Sequence, residues 1–221
     1  MANQDQLQIL ARGVSVWNAW RDSHPDIAVD LSALTWVRDT RSGTTPGPCL
    51  SGRFLHDIDL SRANLQGSNL SGARLCRADL GGANLQGANL AGADLGGANL
   101  NGACLQRAYL SSANLRQADL SDADLRDADL SYTDLQHANL SNADLQNADL
   151  RCSDPIHANF SEANLLGVNL GGADLYGANL QGALARDEDL FGASLTGASL
   201  TGASLTGASL TGASLTGASL A

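Results

Sequence analysis

Ala78-Asp79-Leu80-Gly81-Gly82-Ala83-Asn84-Leu85-Gln86-Gly87-Ala88-Asn89-Leu90 repeats its own pattern every five residues. The frame extends far beyond this stretch. Leucine occupies 32 of the 35 positions that are multiples of five between Leu50 and Leu220, the exceptions being Pro155, Phe160 and Ala185. A period of five suits neither an α-helix nor a continuous strand. Alanine and leucine lie two apart, so in an extended segment they point to one side while the Asn, Asp or Ser between them points to the other. The next two residues are often Gly, Ser, Gln or Arg, which suits a corner. Each unit is therefore a short extended side followed by a bend, and repeating the bend coils the chain with Leu and Ala inside. Successive coils pair at the usual inter-strand spacing of about 4.8 Å, giving a β-solenoid in which each coil touches only its neighbours. A helix is the poorer alternative, because a glycine costs about 1 kcal/mol in a helix interior and many units carry one. The period by itself leaves three and four sides per coil both open.

The run Ala-Asn/Asp-Leu-x-x, as in Ala63-Asn64-Leu65 and Ala118-Asp119-Leu120, resembles the pentapeptide repeat family across residues 50–220. The resemblance implies an all-β fold, a right-handed quadrilateral β-helix with four units and 20 residues in each coil. At that length residues 50–221 make about eight and a half coils, a rod about 40 Å long. Trp17-Asn18-Ala19-Trp20-Arg21, followed by Pro25, is similar to the N-terminal segment of cyanobacterial members, which implies a bacterial regulatory or photosynthesis-associated setting.

The sequence divides into residues 1–28, a capping helix and turn, residues 29–49, irregular first units and a loop, and residues 50–221, the repeat rod. Residues 4–21 read as one amphipathic helix, with Leu7, Leu10, Val14 and Trp17 on the apolar side and Asp5, Gln8, Arg12 and Arg21 available for the wet side. It is expected to cover the open edge of the first coil. Val29-Asp30-Leu31 and Leu34-Thr35-Trp36 read as early units in a different frame, and Arg38–Pro48 as a projecting loop. Glu188, at an alanine position, predicts a bulge over residues 184–189, because an unpaired buried charge is costly. Five copies of Thr-Gly-Ala-Ser-Leu from Thr196 to Leu220 carry no capping signal, so they are expected to fray or to stack on a second copy.

All 13 basic residues are arginine, and the formal net charge is −10. Between Gln117 and Pro155 nine aspartates face two arginines, a local balance of −7. With the 20-residue coil that the resemblance implies, Asp124 stacks on Asp144, Asp129 on Asp149, and Asp134 on Asp154 and then Asp174. Like charges so close are expected to raise one another's pKa. This belt carries about one net charge per 1.4 Å of axis, comparable with about one per 1.7 Å in B-DNA. Some family members mimic DNA and inhibit type II topoisomerases, so the resemblance admits that role here. Against it, the carboxylates are shared among all sides of the rod, which favours their keeping a regular β surface wet and monomeric.

Candidate partner-contacting residues are Asp119, Asp124, Asp129, Asp134, Asp144, Asp149 and Asp154 on the rod, with Arg38 and Arg41 on the loop. Cys49, Cys76, Cys104 and Cys152 lack metal-ligand spacing, which fits a reduced cytoplasmic compartment. His137 and His157, 20 residues apart, are expected to stack at one corner. No phosphate loop, nucleophile elbow or paired-histidine motif is present in the sequence. The expectation is a non-enzymatic binding or scaffold rod for protein–protein interaction, with no catalytic residues, cofactor, metal, nucleic acid, membrane or small-molecule substrate. The alternatives are an acidic DNA mimic that inhibits a type II topoisomerase, and a structural rod that self-assembles through its C-terminal coils, with a homodimer as the simplest form.

Overall fold

The corner dictates the winding. In each regular unit the N–H at the alanine position donates to the leucine carbonyl three residues earlier, as from Ala63 to Leu60 (3.0 Å) and from Ala98 to Leu95 (2.9 Å). The residue just before that alanine has a positive φ, 63° at Gly82 and 56° at Arg107, where a type II turn requires it. A computed structural model describes residues 3–32, 50–184, 193–201, 203 and 213–219 of the chain.

The outward mid-unit residues form parallel bridges at a constant step of 20, as in Asn64 to Asn84 to Cys104 to Asp124 to Asp144 to Asn164. Four units therefore complete one coil, which resolves the choice the period left open. Each coil is hydrogen-bonded on both edges. Leu85 N–H donates forward to the Cys104 carbonyl (2.7 Å), and Asn84 N–H donates back to the Ala63 carbonyl (2.9 Å). Leucines 60 to 180 in the frame are at most 3 % exposed, and the alanines between them are equally buried. Phe160 fills a leucine place at 1 % exposure, and Pro155 is also buried, so neither exception shifts the frame. Pro155 does leave a mark. It has no N–H to give to Asp174, and the bridge expected between Asp154 and Asp174 is missing.

The N-terminal segment is two helices rather than one: α1, Gln4–Ala11, and α2, Val14–Ser23. Gly13, at φ 108°, turns the chain between them. Asn3 caps α1 by accepting the N–H groups of Asp5 and Gln6. Arg21 is not on the wet side either. It is 7 % exposed and donates to Asp59 and to the Ser61 and Ile27 carbonyls. Along the rod, a mid-unit N–H and C=O pair with the preceding coil. At Asp59 these groups meet α2 instead, the N–H donating to Asn18 Oδ1 (3.0 Å) and the carbonyl accepting from Trp17 Nε1 (2.6 Å). The helix thus closes the edge of a coil with side chains. Val29 and Leu31 enter the core, and Asp30 bridges Asn64, out of the five-residue frame. Among the described residues no helix is long and apolar enough to cross a membrane.

The Leu34-Thr35-Trp36 unit, the Arg38–Pro48 loop with Arg38 and Arg41, Cys49 and the Glu188 bulge lie outside the described residues, as does much of the Thr-Gly-Ala-Ser-Leu tail.

Candidate interaction surface

The rod offers two kinds of outward position, and each has its own chemistry. At mid-unit, the Asn or Asp side chain accepts the N–H two residues on, as Asp59 does from Ser61 (2.9 Å) and Asn89 from Ala91 (3.0 Å). This contact fixes the start of the next corner. An asparagine there also donates to the residue one coil earlier, as Asn114 Nδ2 does to Asp94 (2.8 Å) and Asn159 Nδ2 to Asn139 (3.0 Å). An aspartate stacked on an aspartate has no such donor. That arrangement occurs at Asp124–Asp144, Asp129–Asp149 and Asp134–Asp154, three of the four columns at one level of the rod. In the fourth, Asn139 donates to Asp119 (3.0 Å).

An arginine donates to one aspartate of each pair. Arg126 donates to both oxygens of Asp124 (2.9 and 2.7 Å) and reaches Asp144 at 3.6 Å. Arg151 clamps Asp149 through Nε and Nη2, and Arg116 donates to Asp134 at 3.2 Å. The Arg126 bonds hold the Asp124 carboxyl below its usual range, and the Arg151 bonds do the same for Asp149. The expected upward shift from like-charge stacking is therefore reversed at these two residues, because the charge nearest each carboxylate is a guanidinium. Asp129 has a different partner, the Ser131 hydroxyl, at 2.6 Å.

At the corners, the positive-φ position divides the rod into zones. Five consecutive corners from Gly82 to Gly102 are glycine. The next twelve, from Arg107 to Glu162, all carry side chains at φ between 55° and 59°. Glycine then returns at Gly167, Gly172, Gly177 and Gly182. The left-handed region disfavours most side chains by roughly 1–2 kcal/mol each, less for Asn and Asp. Arg107, Gln117, Tyr132, Cys152 and Glu162 therefore hold places in which glycine would be easier.

All seven rod aspartates proposed from sequence fall in this zone, at mid-unit, but the coil distributes them over four columns. Asp134 and Asp154 share one, Asp119 stands in the next, Asp124 and Asp144 in the third, and Asp129 and Asp149 in the fourth. No single side collects them. The sequence reading missed the exposed tyrosines Tyr109 and Tyr132, 57 % and 65 % exposed, and Tyr176. Their signal was available: Tyr109 breaks an Asn/Asp column, and Tyr132 sits where glycine is easiest. The two histidines do stack, with ring centroids 5.3 Å apart and planes at 19°, and Tyr176 meets His157 edge-on at 5.4 Å. Cys104 and Cys152 are exposed. Cys76 is half-buried with its thiol 2.8 Å from Asp94, and burial first, then that carboxylate, pushes the thiol pKa up. Among the described residues no group of three or more His, Cys, Asp or Glu is placed to hold a metal ion.

The family model described as pentapeptide repeats matches in eight copies, over residues 50–82, 58–95, 78–117, 118–154, 156–186 and 189–221. Among solved structures the chain is similar to HetL, a pentapeptide repeat protein involved in heterocyst differentiation regulation from the cyanobacterium Nostoc sp. strain PCC 7120. The identity is 41 % over 76 % of this chain and 78 % of that one, with a TM-score of 0.45. Full-length QnrB1, a plasmid-mediated fluoroquinolone resistance protein, is similar at 20 % identity over 75 % of this chain and 90 % of its own, TM-score 0.40. A pentapeptide repeat protein from the Arabidopsis thaliana thylakoid lumen is similar at 30 % identity over 60 % and 71 %, TM-score 0.27. No curated protein matches the chain.

Proposed function

The chain belongs to the pentapeptide repeat family, and from that premise we propose that it is a non-enzymatic binding or scaffold protein. In this reading a right-handed, four-sided rod presents its Arg107–Glu162 zone to a protein partner in the bacterial cytoplasm, in a regulatory role. One observation carries the reading: twelve consecutive corners keep side chains where the backbone favours glycine. Strained positions of this kind persist where a side chain is needed for something other than the fold. The aspartates keep the rest of the β surface hydrated.

The test is a variant carrying Arg107→Gly, Tyr132→Gly and Glu162→Gly. It is expected to fold as stably as the parent and to lose its partner in cross-linking within the source cells. A variant that cross-links the same protein as the parent, or that unfolds, overturns the reading.

The DNA-mimic reading has less support. It needs carboxylates gathered along one side, whereas these lie in four columns and three arginines occupy several of them. Inhibition of DNA supercoiling by purified gyrase, abolished by Asp129→Asn, would reinstate it. End-to-end assembly has one observation in its favour: Leu215, in a core position, is 38 % exposed. Light scattering of the full chain against Leu215→Glu tests it, with a dimer lost in the variant as the supporting result and a monomer in both as the opposing one.

A further inference from the structure

One aspartate stands apart from the rest in how it is served. Five mid-unit aspartates are each approached by the side chain eighteen residues earlier, which sits at the corner of the coil before. Cys76 reaches Asp94, Gln106 reaches Asp124, Arg116 reaches Asp134, Arg126 reaches Asp144 and Gln136 reaches Asp154. For Asp174 the corresponding residue is Ile156, which has no donor. Among the described residues only the Tyr176 backbone N–H donates to the Asp174 carboxylate, at 3.1 Å. Pro155, in the coil below, withholds a backbone donor from the same residue.

Beside this gap runs an exposed aromatic ladder. His137 stacks on His157, and Tyr176, 48 % exposed, closes its end. Ile156 is half-buried in the same corner. His137 and His157 stand at φ 59° and 57°, so the ladder is held against the glycine preference of its corners. His157 also leans over Gly177, where an added Cβ would collide with its ring, so glycine at 177 leaves room for the ladder.

A carboxylate that accepts from one backbone N–H and, among the described residues, from no side chain, beside an aromatic platform, suits a planar cation. A guanidinium offers five N–H donors in a rigid fork and stacks on ring faces, which a lysine ammonium does less well. The chain uses both contacts internally. Arg74 lies 4.5 Å over the Phe54 ring, and Arg116 donates to Asp134, all within the column that leads to Asp174.

We infer that the His137–His157–Tyr176 corner, with Asp154 and Asp174 alongside, is a docking strip for an arginine-bearing segment of a partner protein. The inference rests on the binding-protein reading and names the chemistry of the partner. Arg116 makes the corresponding contact in cis at Asp134, one coil before the strip begins, and the partner's arginine takes the place that Ile156 leaves without a donor.

The experiment uses the full chain and two fluorescent peptides, Gly-Ser-Arg-Gly-Arg-Ser and its lysine twin, followed by anisotropy. The arginine peptide is expected to bind about five-fold or more tightly than the lysine peptide. Asp174→Asn and Tyr176→Gln should each weaken it by about the same factor, and Asp129→Asn, in another column, should not. Ile156→Arg is the decisive variant. It supplies the missing donor in cis, in the position that Arg116 and Arg126 already occupy in other coils, and should abolish binding while the protein stays folded. Equal binding of the two peptides, an equal loss with Asp129→Asn, or undiminished binding by Ile156→Arg each overturns the strip. The Arg107, Tyr132 and Glu162 glycine variant leaves the strip intact, so failure here is distinct from failure of the broader reading.

Discussion

The coils from Gly82 to Gly102 and those from Arg107 to Glu162 are wound on the same backbone and present different surfaces. Corner φ is 62–64° in the first region and 55–59° in the second, and the core positions of both are equally buried, with Thr133, Ser153, Pro155 and Phe160 standing among the alanines and leucines of the second. What changes is the side chain at the corner. Glycine in the first region imposes no strain, and the tyrosine, histidines, arginine and glutamate of the second do. Since the fold is achieved without these side chains in one region, their presence in the other is not explained by the fold. The comparison separates what builds the rod from what decorates it.

That separation can be broken first at the core, where effects are largest. Leu90→Ala and Leu130→Ala remove the same group from the two regions, and each is expected to lower unfolding free energy by about 2–5 kcal/mol. Urea denaturation should give equal losses within error. A loss at Leu130 well above that at Leu90 would mean that the two cores differ, and that corner identity follows from packing after all.

The corners themselves give the next largest effect, with opposite signs in the two regions. Gly87→Ala and Gly92→Ala meet no atom within 4 Å, so they report backbone strain alone and should each destabilise by about 1 kcal/mol. Tyr132→Gly and Glu162→Gly relieve the same strain, offset by the added freedom of the unfolded chain, and should stabilise by about 0.5 kcal/mol or leave stability unchanged. Thermal unfolding of the four variants decides the matter. Destabilisation of Tyr132→Gly by more than about 1 kcal/mol would show that the corner side chain is structural.

Acid sharpens the contrast at smaller amplitude. The folded carboxyls of Asp124 and Asp149 titrate below their unfolded values, chiefly through hydrogen bonds from Arg126 and Arg151. Their stabilisation is complete above the unfolded aspartate value near 3.9 and is lost as pH falls through the lower folded values. The double variant Asp124→Asn and Asp149→Asn should therefore lose less stability than the parent between about pH 4 and pH 2. Identical acid profiles would show that these two clamps carry no energetic weight.

Much of the rod was legible because its signals lie along the chain. Leu-to-Leu spacing gave the core, and Ala and Leu two apart gave the inward side. The number of units per coil did not follow from the period. It came from the family resemblance, and the bridges at a step of 20 now establish it. Gly13 was passed over because a single glycine within an amphipathic pattern weakens a helix without announcing a break. Arg21 was placed on the wet side because its partners, Asp59 and Ser61, are about 40 residues away in sequence. The stacking of the aspartates was legible, but their other neighbours were not. The like-charge stack was visible at an interval of 20, while the arginines that neutralise it act at intervals of 2 and 18. Those intervals acquire meaning only after the coil length and the direction of each corner side chain are known.

The smallest effect tests the side-chain ladder that distinguishes the two regions at mid-unit. In the glycine-cornered coils asparagine recurs, and Asn84 and Asn99 donate to Asn64 and Asp79 one coil earlier. At Asp144 that donor is absent, and Arg126 is 3.6 Å away, too far for a hydrogen bond. Asp144→Asn keeps the oxygen that accepts from Gln146 N–H and Asn164 Nδ2, and adds a donor facing Asp124. It should raise stability by about 0.5 kcal/mol, the net value of one partly exposed hydrogen bond. The reverse change, Asn139→Asp, removes the donor to Asp119 and stacks two carboxylates with no arginine among their hydrogen-bond partners, so it should destabilise by at least as much. Chemical denaturation of the two variants in one buffer measures the pair. If Asp144→Asn stabilises and Asn139→Asp destabilises, the aspartates of the central zone occupy places where asparagine makes the firmer rod. Their retention then has the same explanation as the corner side chains, a surface kept for contact rather than for the fold. If both variants match the parent, the ladder is neutral, and the mid-unit aspartates carry no information about where a partner binds.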